Sequence, residues 1–200
     1  MDYALAWNDN SVTKIRINKI DAAKRQINAA IRMTFQGEDP VAIHSVIAAG
    51  HRIIRDICQK RGDVESFLRF TDWIAEGHEK QFWAAMNASA NFIKHADTDA
   101  DAIHEFDEEM ADFMIVFASK WYGDLGYSRS REMNTFATWW AIQHPQGITP
   151  TYLEVIKKAG FLKQFEVMQR EVVNLSRKDR LRIGQLFLDQ PARNISNPVR

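Results

Sequence analysis

The chain is poor in residues that staple or anchor a fold. Its 200 residues include one cysteine, Cys58. A single thiol forms no internal disulfide and supplies no cysteine-based zinc finger. A secreted disulfide scaffold is therefore excluded, and a reducing compartment, the cytoplasm, is expected. The opening MDYALAWNDNSVTK has no basic start followed by an apolar run, so no secretory leader is expected. Long apolar stretches are also missing. The longest is FMIVFA, residues 113–118, against the ~20 residues a membrane helix needs. No net charge of either sign exists, since 26 basic residues balance 26 acidic ones. A global pull toward nucleic acid or anionic lipid is thereby lost, and any such contact needs a local patch.

What the chain does have is helical periodicity. Ile17, Ile20, Ala23, Ile27, Ala30, Ile31 and the run from Met33 to Phe35 recur at spacings of three and four. Gly37 ends that helix by accepting a left-handed cap. Asp39-Pro40 opens a second helix, with Asp39 capping and Pro40 at the first helical position. It continues over 41–60 to Gly62. A shorter segment starts at Asp63 and passes Phe67, Phe70 and Trp73. Further helices are expected over 76–96, 102–125, 130–144, 149–175 with an interruption at Gly160, and 176–188. The fifth carries the stripe Phe106, Met110, Phe113, Phe117 and Trp121. No alternating strand pattern, internal repeat or low-complexity block is present. The expected fold is an all-α bundle of seven to eight helices without a sheet, one domain over 1–190, with a loose tail at 191–200.

Charge is unevenly spread. Every charged residue from Asp97 to Asp112 is acidic, whereas Arg177, Lys178, Arg180 and Arg182 cluster around one acid, Asp179. Such blocks form solvated helix faces, or they meet as complementary surfaces within one chain or between copies.

The stretch NFIKHADTDAD, 91–101, holds the most chemistry. Asn91 and His95 lie four apart and share a helix face, with Asn87 one turn earlier. A histidine at the end of a polar stripe can polarise a ribose hydroxyl. The run ANFIKH resembles the Arg-Asn-x-x-x-His motif of the HEPN superfamily, all-α proteins that include metal-independent ribonucleases and RNA-binding dimers. The resemblance covers about a tenth of the chain. It implies His95 as acid/base and Asn91 as a positioning residue. The motif's arginine is replaced by Ala90, so phosphate contact would fall to Arg129 or Arg131. The Asn-Phe-x-Lys-His-Ala segment and GEDPVAIHSVIAAGHRIIRD, 37–56, also resemble a family of uncharacterised bacterial all-α proteins.

The same region nearly matches a calcium loop. Over DTDADAIHEFDE, oxygen donors fall at Asp97, Asp99 and Asp101, with Glu108 at the twelfth position. Ala102 stands where that loop needs glycine. The structural alternative is that Asp99 or Asp101 caps the following helix. His44, His51 and Cys58 recur every seven residues. Each step rises about 10.5 Å, too far for one ion, so they are expected as buried positions on one face. Trp139 and Trp140 cannot face the same way, so one is expected at an interface.

Composition thus points to a non-catalytic interaction or scaffold protein that homodimerises through the tryptophans and the charge blocks. A HEPN-like ribonuclease or RNA-binding protein and a calcium binder are the alternatives. No organic cofactor and no membrane contact are expected.

Overall fold

The computed structural model describes residues 14–68, 77–95, 97, 100–145, 150–158, 160 and 162–190. Among them the fold is all-α, with nine helices and no strand. They are α1 Lys19–Gln36, α2 Pro40–Arg61, α3 Glu65–Leu68, α4 Glu79–Lys94, α5 Met110–Asp124, α6 Arg131–Gln143, α7 Pro150–Lys158, α8 Leu162–Val172 and α9 Arg177–Asp189. The count passes the expected seven to eight, and α3 is a single turn. No described helix is long and apolar enough to cross a membrane. Phe70, Trp73, Asp99, the side chain of Tyr152 and the tail 191–200 lie outside the described residues.

Local chemistry sets the ends of these helices. Asn18 caps α1 by accepting from the Asp21 N–H at 2.8 Å. Gly37 closes it at φ +70, and the next amide, Glu38 N–H, reaches the Met33 carbonyl at 3.0 Å. Asp39 accepts from Val41 N–H at 2.9 Å and Ala42 N–H at 3.1 Å, with Pro40 at the first helical position. Ser130 caps α6 through Met133 N–H at 3.1 Å. Ser176 caps α9 through Asp179 N–H at 3.2 Å.

One boundary departs from expectation. The helix expected from residue 102 begins only at Met110. Residues 102–107 are irregular. Phe106 leaves the expected stripe and sets its ring edge-on to His44, 5.3 Å between centroids. The Asp107 carboxylate accepts from Glu109 N–H at 2.8 Å, so the helix nucleates there and not at Asp101. Burying an aromatic ring outweighs the small propensity gain of two more helical turns.

α1 and α2 form an antiparallel pair around which the rest assembles. Their contact is close because a Cβ at Gly50 would sit 3.1 Å from Gln26 Cβ. α5 covers α2, α4 packs on α2 alongside it, and α6 and α9 cover α1. Ile27, Ile31, Ile47, Ile54, Met114, Ile115, Trp121, Met133 and Phe136 are fully buried in this core. Phe35, Phe136 and Trp139 form an aromatic knot with centroids 5.1 to 5.5 Å apart. A smaller cluster of Ile142, Ile156, Phe165 and Val172 joins α6, α7 and α8, and Phe187 of α9 packs against both.

Candidate functional site

The polar stripe on α4 is present in part. Asn91 and His95 are both exposed, and the His95 N–H closes the helix on the Asn91 carbonyl at 3.1 Å. Asn87 is half-buried, and its amide donates to the Trp83 carbonyl. Ala90, at the motif's arginine position, is buried against α2. An arginine there would point into the core and away from Asn91 and His95. The two arginines expected to compensate have other contacts. Arg131 of α6 donates to the Leu188 carbonyl at the end of α9. Arg129 lies along Gly123 near the end of α5.

The acidic segment is described in part, without Asp99. Asp97, Asp101 and Glu108 are exposed. Among the described residues no group of three His, Cys, Asp or Glu side chains is placed to hold a metal.

The tryptophan pair divides as its adjacency requires, but not toward an interface. Trp139 is buried, and its indole N–H donates to the Arg180 carbonyl at 2.6 Å. Its expected interface role is corrected accordingly: a ring locked between α1 and α9 is not offered to another copy. Trp140 is half-buried, stacked on His144 at 4.3 Å between centroids, with Phe113 edge-on at 6.0 Å.

The acidic and basic blocks meet inside one chain. Arg177 forks onto Asp112, Nη1 to Oδ2 at 2.8 Å and Nη2 to Oδ1 at 3.3 Å. Arg180 reaches Glu109 at 3.1 Å. Arg177 also lies 3.6 Å from Glu109. This network welds the start of α5 to the start of α9. Asp112 is buried, and burial pushes its carboxyl above the ordinary range against the pull of Arg177. Burial works to lower Arg177, but its hydrogen bonds to Asp112 and the charges of Asp112, Glu109 and Glu108 hold it above its usual value.

The ion network is a wall between two concavities. On the α6 side lies a cleft of about 200 Å³ lined by Glu109, Phe113, Trp140, His144 and Arg180. Burial lowers the His144 imidazole, so it is neutral at pH 7. On the α1–α2 side lies a groove of about 470 Å³. Phe35, Ile43, Ala111 and Leu181 give it apolar walls. Lys178, Arg182, Glu38 and Glu108 are its charged lining, and Phe35, Ile43 and Ala111 are nearly buried beneath it. Sequence reasoning did not find this groove. Its only trace was the complementary charge blocks, which marked the wall and not the space beside it.

The histidine line on α2 is buried as expected. His44, His51 and Cys58 are at most 3% exposed. Burial lowers His51 to about 3, and Arg55 and His44 add to the effect. It raises the Cys58 thiol to about 11. Comparison with protein-family models, with curated proteins and with solved structures found no match.

Proposed function

We propose that the protein is a non-catalytic helical interaction module, and that it docks a partner segment in the groove between α1, α2, α5 and α9. The observation that carries this reading is the make-up of the groove. Apolar side chains line it, and a cationic edge comes from one helix. Arg177 is neutralised by Asp112 and Glu109, so it serves the wall. Lys178 has no ion pair among the described residues and is available to a carboxylate. The Arg182 side chain, 68% exposed, is paired with Asp179 at 3.4 Å and would have to exchange that partner. The fitting partner segment sets an apolar side chain against the half-buried Leu181, and acidic residues against Lys178 and Arg182.

Two of the features that favoured self-association are used within one chain, since the charge blocks pair there and Trp139 is in the core, and Trp140 alone stays half-buried. We take the partner to be a different chain, and sedimentation is expected to show a monomer at micromolar concentration.

Anisotropy with short labelled amphipathic peptides tests the proposal. A peptide with an acidic polar face should bind, and its charge-reversed counterpart should not. Lys178→Glu with Arg182→Glu should weaken binding about tenfold, a loss of ~1.4 kcal/mol from two rim contacts. Lys163→Glu on α8 should leave it unchanged. Equal binding of both peptides, or no effect of the double reversal, defeats the proposal.

A ribonuclease or RNA-binding role is the second reading, favoured by the exposure of Asn91 and His95 on one helix face. Incubation with structured RNA in EDTA separates the two. Cleavage abolished by His95→Ala supports this second reading.

A further inference from the structure

Residues 100–107 have no regular structure, and only two of their side chains are withdrawn from solvent: His104 and Phe106. Ile103, the one aliphatic residue of any size there, is 96% exposed. The segment is therefore held by two side chains. His104 stacks on Phe92 of α4 at 5.2 Å between centroids, and its Nε2 lies 2.8 Å from Ser89 Oγ. Phe106 sets its ring edge-on to His44 of α2 at 5.3 Å and also faces His104 at 6.4 Å. His44 is fully buried, and neither ring nitrogen has a hydrogen-bond partner among the described residues.

We propose that His44 is a proton-operated latch for segment 100–107, which His104 helps to hold on α4. With a neutral His44 ring the segment stays on α2 and α4, and protonation of His44 releases it while the helices stay folded.

The surroundings of His44 favour this direction. Burial lowers its imidazole most, and the positive character of His104 and Lys94 lowers it further. His51, two turns along α2, is a second buried imidazole on the same face. Among the described residues no carboxylate compensates. Asp101, Glu105 and Asp107 of the segment are exposed. Asp112 on α5 is bound by Arg177. Lys120 and Asp124 on α5 pair with each other. On α1, Arg32 pairs with Glu132, while Lys19, Asp21 and Arg25 are exposed and Lys24 is half-buried. Glu65 of α3 is exposed. A proton on His44 therefore has no acceptor nearby among the described residues, and it gains water once Phe106 lifts away. Lifting the segment breaks two ring contacts and one hydrogen bond. Unfolding α2 would break the core, so local opening is the cheaper response. The release is independent of what occupies the groove.

Hydrogen exchange of the full chain at about pH 7.5 and about pH 5.5, corrected for intrinsic chemistry, reads the latch. At one unit below its ordinary value a released imidazole favours the open state by at most about tenfold. Amides of 103–107 should accelerate by up to roughly that factor beyond any change in α1 and α2. His44→Phe keeps a ring against Phe106, and His104→Gln keeps a hydrogen bond to Ser89. The double variant should lose the pH response. If that variant does not fold, His104→Gln alone should reduce the response. An unchanged segment in the wild type overturns the proposal, as does an undiminished response in the variants. In a His51→Leu background, which removes the whole-domain response to acid, acceleration of α1 and α2 in step with the segment also overturns it.

Discussion

Acidification should destabilise the whole domain through His51. The ring is 3% exposed, lies 5.4 Å from the Trp121 ring, and leaves Nε2 without a partner among the described residues. Burial, then the charges of Arg55 and His44, lower it to about 3 from an ordinary 6.5. Between those two values the unfolded chain binds a proton that the folded chain refuses. Stability is thus full above the ordinary value and is lost as pH falls toward the folded one. From about pH 7.5 to about pH 5 the loss from this single group is about 2 kcal/mol. For a domain of this size that lowers the melting temperature by roughly 4–8 °C. Burial of His44 acts in the same direction. Urea denaturation of wild type and His51→Leu at the two pH values isolates the effect, because carboxylate contributions cancel in the difference. The variant should lose about 2 kcal/mol less on acidification. Parallel losses in the two proteins would refute the reasoning, whatever the variant's absolute stability.

Arg177→Ala strands the buried Asp112 carboxylate and should cost about 3 kcal/mol, whereas adding Asp112→Ala should restore part of it; strictly additive losses in urea denaturation would contradict a coupled pair. Gly184→Ala should destabilise by about 1–3 kcal/mol through overpacking, since its Cβ would fall 2.2 Å from the Phe35 ring. The same measurement would expose an error if that variant matched wild type. Cys58, buried with its thiol raised to about 11, should react with a thiol reagent only as fast as the chain unfolds. Rapid labelling under native conditions would show the site to be open.

The bundle was legible because helical patterning is local. Asp39-Pro40, Gly37, Ser130 and Ser176 act on amides within four residues, so their caps can be read without the fold. The burial of His44, His51 and Cys58 follows from one face of one helix, and it too was readable. The misplaced start of α5 has the opposite cause. Phe106 fits the helical stripe by spacing, but a partner on another helix, His44, takes its ring. The candidate site was legible only as two unlike charge blocks. Whether they met within a chain or between chains depended on how α5 and α9 cross.

By itself, then, the sequence determined the all-α class, most helix ends and which face of each long helix is apolar, because these depend on short-range hydrogen bonding and periodicity. The tertiary structure alone decided that Arg177 and Arg180 close onto Asp112 and Glu109, that Trp139 turns inward onto Arg180, that Ala90 faces the core, and that a groove opens beside the ion network. Each of these joins residues about 40 to 70 positions apart or fixes the orientation of a whole helix. Their energies depend on burial and on the relative placement of helices, quantities that no local pattern contains.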